Sequence, residues 1–179
     1  MDLWDSVVLV DEYGCDLLNL NGGLSIMSKI EAHHYGFLHR AVSVFIFNDG
    51  NELLLQRRAE NKYHSPNKWT NTCCTHPLPG ESPFASAQRR LKEEMGIFTP
   101  LTEVFTFSYR ARVGNGFIEN EFDHVFFGTS NQDPDPDPLE VSDWEWITIE
   151  KLEKELMRNP KKFSSWLRQC FRQLVDHMS

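Results

Sequence analysis

Several features that define specialised classes of protein are scarce in this sequence. Only four of its 179 residues are cysteine, and two of these, Cys73 and Cys74, are neighbours whose side chains would point to opposite faces of a strand. The longest apolar run, from Ala41 to Phe47, contains Ser43 and falls far short of the ~18 residues of a membrane span. The start of the chain is acidic and lacks the positive charge of a secretory leader. We therefore expect a cytoplasmic protein with reduced thiols and no contact with a membrane.

Basic side chains are also fewer than acidic ones. The chain has 18 Lys and Arg against 26 Asp and Glu, which gives a formal net charge of −8. Nucleic acid needs clustered basic residues to neutralise its phosphates, so we expect no nucleic-acid partner. Between residues 131 and 155, however, nine side chains are acidic and two are basic, and the rest of the chain is nearly neutral. We expect this acidic segment to be solvated surface, with cations elsewhere that attract a small phosphorylated ligand.

The order of the predicted elements indicates one α+β domain over residues 1–179. Apolar residues make up 40% of the chain and charged residues 25%, as in globular proteins, and neither a repeat nor a linker is visible. Several strands precede a central helix, and further helices end the chain. Strands are predicted at 7–10, 41–47, 53–55, 69–75, 103–109, 117–129 and 144–147, and helices at 83–95, 149–158 and 163–177.

Turn and cap residues support these boundaries. Ser82 can cap the central helix, Pro83 suits its first turn and Gly96 suits its end. Asp49-Gly50 predicts a hairpin between the second and third strands, with Gly50 at a positive φ. Alternating Asp and Pro at 133–138 predict a loop, because alternate residues lack an amide donor.

Polar residues of the central helix are unevenly placed. Arg90 and Glu94 lie four residues apart at the edge of the apolar stripe. That stripe consists of Phe84, Ala87, Leu91 and Met95. Taken alone, the pair is also typical of a surface ion pair worth about 0.3–0.5 kcal/mol.

Other chemistry-bearing residues lie two apart in predicted strands. Cys74 and His76 share one face, as do Glu119 and Glu121. The simpler interpretations are a small buried cysteine beside a structural histidine, and two carboxylates on a solvent-facing edge. If the carboxylates are buried, a cation or a shared proton must lie between them.

Two earlier histidines, His33 and His39, lie six residues apart, which fits neither a helix face nor a zinc-finger spacing. A lone histidine is more often structural, and Arg58 and Lys62 are likewise explained by a solvated loop. Three imidazoles and two carboxylates together make a nitrogen–oxygen set that suits Mn²⁺, Mg²⁺ or Zn²⁺. A separate oxygen site at Glu94 suits Mg²⁺ bound partly through phosphate.

With these residues assembled, the chain resembles the type 1 isopentenyl diphosphate isomerases, relatives of the Nudix hydrolases. Glu81 and, after seven residues, the segment from Arg89 to Ile97 follow the Nudix box. Thr75 replaces its first glycine and Arg90 replaces a metal-binding glutamate, and both departures fit the isomerase branch. Further matching segments are Leu38–Ala41, Trp69–Pro77, Glu119–Glu121 and Phe163–Trp166. The resemblance covers about residues 5 to 170 and is more specific than the helix alone.

The resemblance implies a Nudix-like mixed β-sheet sandwich flanked by α-helices, and a small diphosphate substrate. It implies one divalent ion, Mn²⁺, Zn²⁺ or Mg²⁺, held by His33, His39, His76, Glu119 and Glu121. It implies a Mg²⁺ on the diphosphate, held by Glu94 and the main-chain oxygen of Cys74. The implied substrate-binding side chains are Lys29, Arg58, Lys62, Thr75, Arg90 and Trp166. Cys74 and Glu121 would transfer protons, with Tyr109 assisting Glu121.

The implied reaction moves a carbon–carbon double bond between isopentenyl and dimethylallyl diphosphate. It adds a proton to one carbon and removes one from another, which needs an acid and a base. A tertiary carbocation would have to be shielded from water, so the terminal helix with Trp166 is a candidate lid, although core packing explains this tryptophan nearly as well. A monomer is expected, with a homo-oligomer left open. Two alternatives remain: a Nudix hydrolase of a small organic diphosphate, and a non-catalytic metal- or diphosphate-binding module.

Overall fold

The computed structural model describes residues 3–178, so Met1 and Asp2, at the start examined for a leader, lie outside the described residues, as does Ser179. The strands are β1 (Ser6–Val8), β2 (Ile26–Ser28), β3 (His39–Phe47), β4 (Glu52–Arg58), β5 (Trp69–Thr70), β6 (Cys73–Thr75), β7 (Leu101–Gly114), β8 (Phe117–Thr129) and β9 (Val141–Thr148). The α-helices are α1 (Lys29–Tyr35), α2 (Pro83–Met95), α3 (Ile149–Arg158) and α4 (Ser165–His177).

Strand β3 lies at the centre of a mixed sheet. It pairs in parallel with β8, with His39 opposite Glu121, and antiparallel with β6, with Ser43 opposite Cys74. Strands β7 and β8 form an antiparallel hairpin, and β4 pairs with β5 and β9. This order brings strands that are distant in sequence together at one end of the sheet.

The hairpin predicted between β3 and β4 forms only at its turn. A single Cα pair, Phe47 with Leu53, joins the two strands. The prediction that Gly50 carries the positive φ is wrong, because the left-handed residue is Asn51, at φ 57°. The two strands therefore share a turn but take different partners.

A threonine explains why these strands separate. The Thr72 hydroxyl donates to the Leu54 carbonyl at 2.7 Å and accepts from the Ile46 amide at 2.9 Å, so it bridges β4 and β3. The strand predicted over 69–75 is accordingly broken at residues 71 and 72 into β5 and β6. Side-chain hydrogen bonds here replace a continuous ladder.

Successive side chains of β3 and β4 point to opposite faces of the sheet, and each face has its own apolar core. Phe45 and Leu53 pack with apolar residues of α3 and α4, whereas Val44, Ile46 and Leu54 pack with those of α2. Helices therefore cover both faces of the mixed sheet. The prediction of a single α+β domain with a sheet flanked by helices is confirmed.

Helix α2 begins and ends as predicted. The Ser82 hydroxyl accepts from the Ala85 amide at 3.2 Å, and Gly96 closes the helix at φ 67°. Phe84 departs from the prediction, because its side chain is 45% exposed. The other three members of the stripe, Ala87, Leu91 and Met95, are buried.

The Asp-Pro loop has a structural role beyond the solvated surface that we expected. The amide of Asp135 donates to the Met95 carbonyl at 2.9 Å, and that of Asp137 donates to the Glu94 carbonyl at 3.0 Å. These bonds satisfy carbonyls that the end of α2 leaves without partners. The loop therefore fixes the end of the helix that carries Glu94.

The remaining differences are short. Strand β2 and helix α1 are not predicted from the sequence. Strand β9 begins earlier than predicted, and α4 begins at Ser165 with Ser164 as its cap.

The four cysteines are free of disulfides. No helix between residues 3 and 178 is long and apolar enough to cross a membrane.

Candidate active site

A cavity of about 490 Å³ lies among β6, β8, α2 and the loop between β4 and β5. Nearly every side chain predicted for the site lines this cavity, namely Lys29, Arg58, Lys62, Cys74, Thr75, His76, Arg90, Glu94, Tyr109, Glu119, Glu121 and Trp166. The two remaining residues, His33 and His39, are fully buried and contact the wall.

Five side chains converge on one point at the wall. They are His33, His39, His76, Glu119 and Glu121, and their donor atoms all lie within 4.8 Å of one another. Helix α1 ends at Gly36 and β3 begins at His39, so the chain reverses between the first two histidines. This turn from helix to strand explains a six-residue spacing that fits no single element.

Backbone carbonyls fix the orientation of two of these rings. Nδ1 of His33 donates to the Lys29 carbonyl at 2.6 Å, and Nδ1 of His39 donates to the Phe37 carbonyl at 2.8 Å. Their Nε2 atoms are left to face the carboxylates, as in histidines that bind metal ions. Burial lowers the pKa of His33 and lowers that of His76 to about 3, which keeps both rings neutral.

The two carboxylates have opposite electrostatic environments. Burial raises the pKa of Glu119, and the neighbouring charge of Glu121 raises it further. Burial acts on Glu121 in the same sense, but its contacts with the imidazoles of His39 and His76 outweigh it and hold the pKa of Glu121 well below its usual range. The Tyr109 hydroxyl donates to Oε2 of Glu121. Neutral imidazoles and buried carboxylates in this geometry fit a divalent cation.

The Cys74 thiol lies deep in the cavity, within a polar contact group. It donates to Oδ1 of Asn71 at 2.9 Å and accepts from Nε1 of Trp166 at 3.0 Å. Burial raises the pKa of the Cys74 thiol to about 12. Because Cys73 packs on the opposite face, in the core beneath α2, only one of the two neighbouring cysteines reaches the cavity.

Cationic side chains line the other part of the cavity. Lys29 lies 3.9 Å from Asp5, and Lys62 is paired with Glu140. Burial lowers the pKa of Lys62 to about 8. Arg58 donates to a backbone carbonyl and lies 5.3 Å above the Trp166 ring.

Arg90 links these cations to the buried carboxylate of Glu94. Its guanidinium lies 2.6 Å from Glu94 and 3.2 Å from Glu140. Glu94 is 4% exposed and also accepts from Gln56 at 2.9 Å. The pair on the edge of α2 is therefore half-buried rather than a simple surface ion pair.

Comparison with known proteins places this geometry in a family. The NUDIX domain family matches residues 37–168. An isopentenyl-diphosphate Delta-isomerase of Aromatoleum aromaticum is 46% identical over 96% of this chain and 93% of its own length. One from Pectobacterium atrosepticum is 45% identical over 96% of this chain and 92% of its own length. The chain belongs to the isopentenyl-diphosphate Delta-isomerase family, within the Nudix proteins.

Solved structures agree on the fold at much lower identity. A Deinococcus radiodurans protein, DR0079, superposes with a TM-score of 0.71 at 20% identity, over 88% of this chain and 96% of its own. A MutT protein from Methanosarcina mazei gives a TM-score of 0.65 at 22% identity, over 79% of this chain and 96% of its own. These likenesses establish the Nudix fold.

Two further predicted residues, Thr75 and Trp166, differ in their contacts. Among residues 3–178, the Thr75 hydroxyl hydrogen-bonds only to the His76 carbonyl, at 3.5 Å, and no phosphate-binding role follows from that contact. Trp166 is 4% exposed on α4, a helix that is anchored in the core by Leu167 and Leu174. Trp166 therefore packs with the core and also lines the cavity, where its Nε1 donates to Cys74.

Four polar residues of the site are absent from the sequence-based prediction. Gln56 donates to Glu94, and Asn71 accepts from Cys74. Glu140 pairs with Lys62 from the acidic segment, and Nε2 of His64 lies 3.0 Å from Oε1 of Glu119. Gln56 lies within β4, and Glu140 and His64 lie in loops, each far in sequence from its partner. Asn71 is three residues from Cys74, at the break between β5 and β6. Only the tertiary structure reveals these contacts.

Proposed function

We propose that this chain isomerises isopentenyl diphosphate to dimethylallyl diphosphate, acting as a single domain over residues 1–179 and as a monomer. The observation that carries the proposal is that Cys74 and Glu121 line one cavity together with four cationic side chains. Those cations are Lys29, Arg58, Lys62 and Arg90. A diphosphate bound to them would extend its short hydrocarbon toward the acid–base pair.

Cys74 and Glu121 differ in protonation, as proton addition and proton removal require. With a pKa raised to about 12 by burial, the Cys74 thiol keeps its proton at neutral pH. Contacts with the histidines keep Glu121 ionised, and Tyr109 donates to it. One group can therefore give a proton to the double bond while the other accepts one from a different carbon, and their roles exchange in the reverse direction.

Two divalent cations belong to the proposal. The histidine–glutamate group would hold Mn²⁺, Zn²⁺ or Mg²⁺, and Glu94 with the main-chain oxygen of Cys74 would hold a Mg²⁺ on the diphosphate. When bound, these ions supply positive charge that orients the carboxylates and neutralises the phosphates. The chain itself would shield the reacting carbons from water, because Tyr109, Trp166, His33 and His39 are buried.

Arg90 disfavours diphosphate hydrolysis, the main alternative. It stands where the Nudix box has a metal-binding glutamate, and its guanidinium instead contacts Glu94 at 2.6 Å. A cation at this position can bind phosphate oxygens but cannot ligate a metal ion. A non-catalytic binding module is disfavoured because binding alone needs neither Cys74 nor the Tyr109–Glu121 hydrogen bond.

Proton NMR of isopentenyl diphosphate with the protein and Mg²⁺ in deuterated water tests the proposal. We expect dimethylallyl diphosphate, deuterium in the product and no released phosphate. The Cys74→Ala variant should be slower by about 10²–10⁴-fold, the usual contribution of a general acid or base. The matched control is Cys73→Ala, since Cys73 packs away from the cavity, and it should stay active.

Three outcomes would contradict the proposal. Release of inorganic phosphate would indicate a hydrolase, and unchanged substrate with no deuterium exchange would indicate a binding module. Full activity of Cys74→Ala would remove the thiol from the reaction and leave the acid–base assignment wrong.

A further inference from the structure

His64 is a buried histidine outside the five-residue metal-binding group. It lies in the loop between β4 and β5, is 5% exposed, and is not one of the donors that converge within 4.8 Å. Its Nε2 lies 3.0 Å from Oε1 of Glu119. It therefore touches a proposed metal ligand without being one.

Glu119 is held between two histidines, one on each carboxylate oxygen. Its Oε2 lies 3.1 Å from Nε2 of His33, inside the metal-binding group, and its Oε1 meets His64. The two rings stack, with centroids 5.4 Å apart and planes at 25°. One oxygen of the carboxylate therefore faces His33 of the metal-binding group, and the other faces His64.

The surrounding chain holds His64 in this orientation. Its ring makes edge contacts with Tyr63 and Trp166, at centroid distances of 4.4 and 5.9 Å, and Arg58 donates to its carbonyl at 3.2 Å. The next residue, Ser65, has φ 48°, whereas a residue before proline normally has extended backbone. Strained backbone at such a position is typical of loops that present a functional side chain.

The hydrogen-bond inventory of the ring fixes its donor. A carboxylate that binds a metal ion only accepts hydrogen bonds, so Nε2 of His64 must carry the hydrogen. Nδ1 is then a bare acceptor, and it has no hydrogen-bond partner among the described residues. The ring therefore has a single polar contact for its side chain, and that contact is with Glu119.

We propose that His64 is a positioning residue of the metal centre, whose Nε2–H holds Oε1 of Glu119 so that Oε2 is presented to the metal ion. The inference rests on the metal centre of the proposed function. Hydrogen bonds to ligating carboxylates orient them, and removing such a partner typically costs about 10–100-fold in metal affinity.

The test is calorimetric titration of the metal-free protein with Mn²⁺ and with Zn²⁺, without diphosphate. His64→Phe keeps a ring against Tyr63 and Trp166 but removes the donor, and should raise the Kd by about 10–100-fold. His64→Gln places an amide N–H near the position of Nε2 and should retain most of the affinity. His64→Asn places its amide near Nδ1, out of reach, and should resemble the phenylalanine variant.

A double-mutant cycle separates a role through Glu119 from a purely structural one. In a Glu119→Gln background, His64→Phe should cause little further loss of metal affinity, because the group on which it acts is already changed. The matched control is His34→Phe, which removes an exposed histidine next to His33 and should leave the Kd unchanged.

Several results would overturn the proposal. They are an unchanged Kd in His64→Phe, equal losses in the glutamine and asparagine variants, and an undiminished loss in the Glu119→Gln background. If His64→Phe fails to fold, as judged by thermal unfolding in chelator, the comparison of glutamine with asparagine still decides. A protein that binds metal as described but makes no dimethylallyl diphosphate refutes the proposed function alone, and one that binds no divalent ion refutes this inference.

Discussion

Each lysine in the cavity faces a carboxylate of the same chain. Lys29 lies near Asp5, and Lys62 is paired with Glu140, which also reaches Arg90. These carboxylates offset the charge of the lysines in the substrate-free protein, so a diphosphate has to displace them when it binds. Among the cationic side chains of the cavity, Lys62 is the one whose charge changes near neutral pH. Burial lowers its pKa to about 8, whereas arginine side chains stay charged.

Lys62 should make substrate binding depend on pH. Its charge is present below about pH 8 and is lost above it, so diphosphate binding should weaken as the pH rises, not as it falls. We expect KM for isopentenyl diphosphate to rise by up to about tenfold between pH 7 and pH 9, with a much smaller change in kcat. Lys62→Arg is the control, since a guanidinium stays charged throughout this range. A parallel rise in KM for both proteins would assign the effect to another group.

At the scale of elements, α2 and the Asp-Pro loop form one unit. The loop caps the carbonyls of Glu94 and Met95 and then continues to Glu140, which contacts Arg90 of the same helix. The acidic segment between residues 131 and 155 therefore contributes to the site, which a tally of its charge does not reveal. Gly96, at the end of the helix, lies against Asp135 of the loop.

Gly96→Ala should destabilise the protein and disturb this unit. A Cβ at this position would lie 2.8 Å from the Asp135 carbonyl oxygen, at a φ of 67°. The control is Gly80→Ala, which has φ 83° and nothing within 4 Å of the added Cβ. We expect Gly80→Ala to lower the free energy of unfolding by about 1–2 kcal/mol, the cost of the left-handed backbone, and Gly96→Ala to lower it further. Urea unfolding measures both, and equal losses would show that the contact with the loop is unimportant.

At the scale of the whole molecule, the proposed metal centre joins elements that are far apart in sequence. Helix α1, the parallel pair β3 and β8, and the chain after β6 each supply part of it. Without a cation, two carboxylates lie buried side by side, an arrangement that costs stability. A bound ion should therefore stabilise the entire fold.

Metal removal should lower the unfolding temperature. A ligand at about 100 times its Kd stabilises the native state by about 2.7 kcal/mol, which corresponds to roughly 5–10 °C for a chain of this size. Scanning calorimetry with divalent ion and with chelator measures the difference. His76→Ala should abolish it, whereas His34→Ala, at an exposed position, should retain it. An identical Tm with ion and with chelator in the unaltered protein would contradict the metal centre.

The sequence by itself determined the local features of this protein. Ser82 and Gly96 bound α2, and the Gly114-Asn115-Gly116 turn joins β7 to β8 with a positive φ at each of its three residues. Caps and turns depend on residues three or four apart, so their signals are complete within a short segment. The family resemblance also rested on short ordered segments, which is why the cavity residues could be named in advance.

The tertiary structure alone decided which strands pair and which side chains meet. The sequence pattern suggests β4 as the partner of β3, yet β3 pairs along its length with β8, because a strand's alternation describes its faces and not its neighbour. For the same reason the sequence pattern does not predict a role for His64, because its partner Glu119 lies in a strand that is distant in sequence. Pairing across the fold, unlike a helix cap, is fixed by the packing of the whole chain.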